Sequence, residues 1–152
     1  MYRLTADAPM TKRIVFLGKA LREVFQAMLA EQGCTMPTWQ VLDSAQRSPG
    51  LSQVHLAAQI GIEGPTLARH LDRLCAEGLV ERQRDVQDRR IVRIALTPSG
   101  HERWAELKHL ADDMDDRLLR CLSAQQQATL DIVIDSIHRA LEDTNVPINS
   151  AG

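Results

Sequence analysis

Arginine is concentrated in one part of the chain. Seven arginines lie between residues 69 and 93: Arg69, Arg73, Arg82, Arg84, Arg89, Arg90 and Arg93. A guanidinium is permanently charged and presents a planar fork of N–H donors, which suits phosphate oxygens and guanine edges. The sequence contains none of the motifs G-x-S-x-G, G-x-G-x-x-G, H-E-x-x-H or a phosphate-binding P-loop. These residues therefore favour the binding of an anion, and we expect no catalytic residues.

The overall charge of −2 hides an uneven distribution along the chain. From residue 94 onward ten acidic side chains accompany five basic ones, whereas arginines slightly outnumber acidic residues between 51 and 93. A mild net charge therefore excludes only an anionic partner that covers the whole surface.

Composition narrows the class of protein further. A chain of 152 residues fits a single domain, and an aromatic content of 3% argues against an all-β fold. No stretch predicts a membrane span, and the first ten residues lack the apolar core of a signal peptide, so we expect a cytoplasmic protein. Three widely spaced cysteines (Cys34, Cys75, Cys121) predict no disulfide framework.

The helix predicted over residues 65–77 has two contrasting faces. Leu67, Leu71 and Leu74 form an apolar stripe, and the opposite face carries Thr66, Arg69, His70 and Arg73. A helix of this kind can enter the major groove of DNA, where Arg reaches guanine or phosphate. The pattern also fits the solvated face of an ordinary surface helix.

A β-hairpin is predicted directly after this helix. Residues 79–84 and 90–96 read as strands, and the polar connection carries Asp88, Arg89 and Arg90 beside Arg84. An arginine at such a tip can enter a narrow minor groove, and Asp88 is expected to hold Arg90 by a charge-assisted hydrogen bond. A merely solubilised hairpin is the alternative, but helix and hairpin together favour DNA.

The remaining elements are predicted helices. They cover residues 12–31, a second helix from Pro37, residues 52–60 capped by Ser52, a long helix opened by Thr97 and Pro98, and a last helix opened by a Ser123–Gln126 capping box. Gly61 and Gly78 end the third and fourth helices, and the tail from Asn145 is expected to fray. The pattern predicts a mainly α fold with a small β-hairpin wing (α+β).

Several motifs together resemble the MarR family of transcriptional regulators, and within it the SlyA-like branch. They are Leu56–Leu74, Glu77-Gly-Leu-Val-Glu-Arg82, Asp88-Arg-Arg90 and Leu96-Thr-Pro-Ser-Gly100. The resemblance implies one domain over residues 1–152, with a winged helix-turn-helix at 35–97 and dimerisation helices at 12–33 and 98–144. By this resemblance Pro65, Thr66 and Arg69 belong to the recognition helix, and Asp88 and Arg90 to the wing.

The function expected from this resemblance is that of a homodimeric repressor on a near-palindromic site in double-stranded DNA. Apolar stripes on the first, fifth and sixth helices exceed what the small winged unit can bury. A small aromatic carboxylate or a related anion is the expected effector, with Trp39 as an apolar wall and Lys19 or Arg22 as its charged partner. Core packing for Trp39 and a plain surface role for Arg22 are the simpler interpretations.

Two other functions fit the same sequence features. One is a thiol-based redox-sensing regulator of the same fold, which needs an accessible cysteine of low pKa; Cys34 has no neighbouring base in sequence, and Cys75 and Cys121 fit apolar stripes. The other is a winged-helix module that binds proteins rather than DNA. The five histidines form no closely spaced ligand set, so neither a metal nor any other cofactor is expected.

Overall fold

The computed structural model describes residues 7–143 and contains six helices and one two-stranded sheet. The predicted fraying tail and the end of the predicted dimerisation region at residue 144 lie outside the described residues. In chain order the elements are α1 (Met10–Glu31), α2 (Met36–Arg47), α3 (Gln53–Ile60), α4 (Gly64–Ala76), β1 (Val80–Arg84), β2 (Val92–Leu96), α5 (Pro98–Leu119) and α6 (Ala124–Asp143).

Short-range hydrogen bonds set the predicted helix boundaries. Ser52 accepts from the His55 amide to cap α3, and Thr97 accepts from the Gly100 amide to cap α5. Before α6, the Ser123 hydroxyl accepts from the Gln126 amide while the Gln126 side chain accepts from the Ser123 amide. This reciprocal pair is the predicted capping box. Gly61 ends α3 in the left-handed conformation at φ 68°, as its position predicted.

The core lies where the winged unit meets α2 and α5. Leu42 of α2, Leu56 of α3, Leu71 of α4, Ile94 of β2 and Leu107 of α5 are each fully buried. Every element from α2 to α5 except β1 therefore contributes a side chain without solvent contact, and β1 adds the nearly buried Val80. This shared core fixes α4 and the hairpin relative to the long α5.

The hairpin is shorter than predicted on its second strand. The strands pair antiparallel, with Val80 opposite Leu96 and Arg84 opposite Val92. β2 begins at Val92 rather than at residue 90 because the Ile91 amide bonds back to the Asp88 carbonyl and prolongs the turn. β2 is also tied to the segment before α3, since the Ile94 amide donates to the Leu51 carbonyl.

Long apolar side chains remain exposed on α1 and α6. On α1 they include Ile14, Phe16, Leu17 and Val24, and on α6 they include Leu130, Val133, Ile134, Ile137 and Leu141. In the described part of α6 no residue is buried. Among residues 7–143, no helix is long and apolar enough to cross a membrane.

Two cysteine positions differ in their packing. Cys75 packs against the core from α4, as its apolar stripe predicted. Cys121, which was also placed on an apolar stripe, is exposed, because α5 ends at Leu119 and Cys121 falls in the turn before α6. Its thiol donates to the Leu118 carbonyl at 2.9 Å.

Candidate nucleic-acid interface

The exposed face of α4 carries most of the predicted recognition residues. Leu67, Leu71 and Leu74 are fully buried, so the helix is held by one apolar face. Pro65, Thr66 and Arg69 are exposed on the other side, and His70 is half-buried beside them. Pro65 stands in the first turn, where its missing N–H costs no helical hydrogen bond. The start of α4 therefore presents a polar face to solvent.

Arg73 is positioned differently from its neighbours on α4. Its guanidinium donates to the Thr38 hydroxyl of α2 at 2.8 Å and lies 3.7 Å from the Glu77 carboxylate. Arg73 was predicted from helical spacing to share the DNA-facing side with Arg69. In the structure Arg73 is exposed, and its guanidinium connects α4 to the start of α2 through Thr38.

Two of the wing arginines hold the hairpin in place. Arg82 pairs with the Asp72 carboxylate and donates to the Ala68 carbonyl at 3.0 Å, which joins β1 to α4. Arg93 donates to Asp85 at 2.5 Å and to the Gly50 carbonyl at 2.7 Å, which joins β2 to the turn before α3. These arginines therefore fix the wing relative to the two helices of the helix-turn-helix.

Asp85 organises the wing tip, a role that the sequence reading did not assign. One of its oxygens accepts from the Gln87 and Asp88 amides at 2.8 and 2.9 Å, and the other accepts from Arg93. These bonds, the Asp88 amide first, lower the pKa of Asp85 to about 2. An aspartate in a turn often accepts hydrogen bonds from the backbone amides two and three residues after it. This pattern could have indicated the role of Asp85 from the sequence.

Asp88 bonds the backbone of Arg90, and not its guanidinium by a charge-assisted bond as predicted. Its carboxylate accepts from the Arg90 backbone amide at 2.9 Å, rather than from the guanidinium. The bond shapes the chain at the tip and does not engage the guanidinium of Arg90, which is an exposed residue.

Four arginines lack the protein partners that Arg73, Arg82 and Arg93 have. Within residues 7–143, the guanidinium groups of Arg69, Arg84, Arg89 and Arg90 make no ion pair or hydrogen bond, and all four residues are exposed. They belong to α4 and to the hairpin, which Arg82 holds together. The structure thus separates arginines that build the surface from arginines whose charge remains available.

The predicted effector residues lie in two different surroundings, Trp39 in the core and Lys19 and Arg22 along α1. Trp39 is 8% exposed and meets Phe25 edge-on, with ring centroids 5.8 Å apart, so it packs in the core. Lys19 lies 3.8 Å from Glu23 on the exposed surface of α1, and Arg22 is half-buried on the same helix.

Cys34 is buried in the segment between α1 and α2. Burial raises the pKa of its thiol, and this effect outweighs the opposing charges of Arg103 and Arg73. A protonated, enclosed thiol reacts slowly with oxidants. Within the described residues, no group of three or more His, Cys, Asp or Glu side chains is arranged to hold a metal ion.

An amphipathic helix that follows a short helix and precedes an arginine-bearing hairpin defines a winged helix-turn-helix protein. The comparison with protein families agrees with this geometry: the MarR family model matches residues 34–92. A solved protein described as transcriptional regulator PA3341 is 31% identical, with a TM-score of 0.79 over 89% of this chain and 99% of its own. The chain belongs to the MarR family.

Two further structures are similar at 25% identity. A mutant of MarR from E. coli, complexed with operator DNA, has a TM-score of 0.74 over 85% of this chain and 93% of its own. The PcaV transcriptional regulator from Streptomyces coelicolor, in complex with its natural ligand, has a TM-score of 0.72 over 93% and 99%. Membership of the family places the chain among transcriptional regulators rather than enzymes, as the absence of enzyme motifs predicted.

Proposed function

We propose that this protein is a sequence-specific, double-stranded-DNA-binding repressor that acts as a homodimer. The observation that carries the proposal is the set of four unpaired arginines, Arg69 on α4 and Arg84, Arg89 and Arg90 on the hairpin. Arg69 with Pro65, Thr66 and His70 would meet the major groove, and the hairpin arginines would meet the adjoining backbone and minor groove. The operator complex of the similar E. coli protein supports this reading.

The exposed apolar surfaces of α1 and α6 support the dimer. Burial of one such side chain is worth about 1.5–3 kcal/mol, so two copies gain by covering these faces with each other. A two-fold dimer presents two recognition helices about one DNA turn, roughly 34 Å, apart. The operator is therefore expected to be near-palindromic. We also propose that the protein acts in the cytoplasm, as expected from its sequence, and that it represses transcription, as the family resemblance implies.

Selection of bound DNA from a random pool tests the proposal directly. The full-length protein should enrich one near-palindromic sequence, and Arg69→Ala and Arg90→Ala should weaken binding to it at fixed salt. Arg69→Ala should also relax the base preference at one position per half-site, because contacts to base edges carry sequence information whereas contacts to phosphates do not. Lys108→Ala is the matched control, since Lys108 pairs with Asp112 on α5, away from the hairpin.

The result that would contradict the proposal is equally direct. If neither arginine variant changed DNA affinity relative to Lys108→Ala, the alternative of a winged-helix protein-interaction module would be favoured. The redox-sensing alternative is disfavoured by the burial and raised pKa of Cys34.

We also propose that a small aromatic or anionic effector releases the protein from its operator. The similar PcaV structure, which contains its natural ligand, supports it. A ligand that binds the two conformations of the dimer unequally would shift their populations. Because Trp39 packs against Phe25 of α1, movement between α1 and α2 should change Trp fluorescence. Titration with aromatic carboxylates that alters neither fluorescence nor DNA affinity would remove this part.

A further inference from the structure

A small cavity lies where the connection between α1 and α2 meets the end of α4 and the second turn of α5. Its volume is about 80 Å³. The polar side chains that line it come from α4, α5, the start of α2 and the segment before it: Cys34, Thr35, Thr38, Arg73, Glu77 and Arg103. Pockets for organic ligands usually have volumes of roughly 300 Å³ or more, so this cavity suits only a small ion or molecule.

Two arginines from different helices reach the cavity and are held there by polar contacts. Arg73 of α4 donates to the Thr38 hydroxyl at 2.8 Å, and Arg103 of α5 donates to the Gln32 carbonyl at the end of α1. Within residues 7–143 the contacts of each guanidinium involve two of its three nitrogens. Since every guanidinium nitrogen carries at least one N–H, both side chains keep a donor for a ligand. Their positions are set before any ligand arrives, which reduces the cost of ordering the site on binding.

The charges around the cavity favour an anion. The positive charges of Arg73 and Arg103 both act on the Cys34 thiol, which indicates that the two guanidinium groups lie near one point. The thiol itself is uncharged, because burial raises its pKa. Glu77 supplies the carboxylate of the lining, 3.7 Å from Arg73 in an exposed ion pair. Exposed pairs of this kind are weak, so an incoming anion can replace Glu77 beside Arg73.

We propose that this cavity binds a small free oxyanion, of the size of inorganic phosphate or sulfate, between the guanidinium groups of Arg73 and Arg103. The anion accepts charge-assisted hydrogen bonds from both arginines and so joins the last turn of α4 to α5. The small volume separates this site from that of an aromatic effector. Binding of the oxyanion requires no DNA, so the site does not depend on the proposed function.

Thermal unfolding in increasing inorganic phosphate, with sodium chloride added to keep the ionic strength constant, measures the affinity of the site. The dissociation constant should be on the order of 1 mM, because the hydrogen bonds must also offset the lost freedom of the ion. Glu77→Gln should tighten binding about two- to fivefold, since it removes the competing carboxylate. Arg73→Gln should weaken binding about tenfold or more, since hydrogen bonds from a charged group are lost.

The variant Asp112→Asn is the matched control for Glu77→Gln. Asp112, like Glu77, is an exposed carboxylate in an ion pair, here with Lys108. It lies nine residues after Arg103 on α5, which is about 13 Å along the helix axis. This distance exceeds the Debye length of about 8 Å at 0.15 M salt, so phosphate affinity should change less than about 1.5-fold. A general stabilising effect of phosphate on folded proteins would act on all variants alike.

Alkylation of the cysteines, followed by mass spectrometry, locates the ion without any substitution. Phosphate at ten times its dissociation constant should slow alkylation of Cys34 about tenfold, because about one site in eleven stays empty, and should leave exposed Cys121 unaffected. An unchanged rate at Cys34, or equal phosphate affinities of the wild type and Glu77→Gln, would overturn the assignment even if Arg73→Gln failed to fold. Tighter binding of phenyl phosphate than of inorganic phosphate would overturn the assignment to a free ion.

Discussion

The salt dependence of DNA binding should report the unpaired arginines directly. Each phosphate contact releases condensed counterions and contributes about −0.9 to the slope of log K against log salt. Arg69, Arg84, Arg89 and Arg90 are the exposed arginines of α4 and the hairpin without a protein partner, and a dimer carries each of them twice. If all of them lie at phosphates, the slope is about −7, which is an upper limit in magnitude.

The variant Arg89→Gln isolates one pair of these contacts. Arg89 is exposed at the wing tip, and its replacement removes one charge per protomer without removing a packing contact. The slope should become shallower by about 2. Between 50 and 200 mM salt the variant should then lose about tenfold less affinity than the wild type.

Fluorescence anisotropy of a labelled operator across this salt range measures both slopes. Lys108→Gln is the control, because Lys108 already pairs with Asp112 at 2.6 Å on α5. If Lys108→Gln made the slope shallower by as much as Arg89→Gln, long-range attraction by net charge would explain binding better than local contacts. A slope unaffected by Arg89→Gln would refute the reasoning that unpaired arginines mark the phosphate contacts.

Three further predictions follow from particular contacts. Gly100→Ala should destabilise the fold by about 3 kcal/mol in urea unfolding, because the added Cβ would lie 1.9 Å from the Leu79 carbonyl oxygen. Gly18→Ala has open space around its Cβ and should stabilise the fold by about 0.5–1 kcal/mol. Equal effects of the two variants would refute the packing argument. Asp85 should keep the wing tip ordered above pH 4 and release it as the pH falls toward its folded pKa of about 2, since that pKa is lowered from 3.8. The amide resonance of Gln87 should report this release, and an unchanged resonance at pH 2 would contradict it. Ile137→Glu on exposed α6 should shift sedimentation toward monomers, and an unchanged dimer would place the interface elsewhere.

Local signals in the sequence predicted most of the fold. The caps at Ser52, Thr97 and Ser123 and the turn at Gly61 depend on atoms within a few residues, so residue type and spacing were enough to find them. The stripe of leucines on α4 likewise showed its buried face. The element types of the winged region therefore followed from the sequence alone.

Tertiary partners of the charged residues could not be found in the same way. Arg73 bonds Thr38, which is 35 positions away, and Arg93 bonds Gly50, which is 43 positions away. Periodicity assigns a face to a side chain of this length but does not say what the guanidinium reaches once helices pack. The sequence therefore located the basic region correctly and could not separate its structural arginines from its unpaired ones.

This separation explains how a chain of net charge −2 can bind a polyanion. Two carboxylates of the winged unit form ion pairs with the arginines that orient it: Asp72 pairs with Arg82, and Asp85 pairs with Arg93. The two ion pairs cancel their own charges; Arg82–Asp72 holds the hairpin against α4, and Asp85 orients Arg93, which bonds the Gly50 carbonyl before α3. The arginines left over repel one another on a fixed surface, and this repulsion is relieved when a phosphate backbone comes between them. Loss of Asp72 or Asp85 should therefore weaken DNA binding although it makes the protein more positive, and a gain in affinity from either change would show that charge, not wing orientation, governs binding.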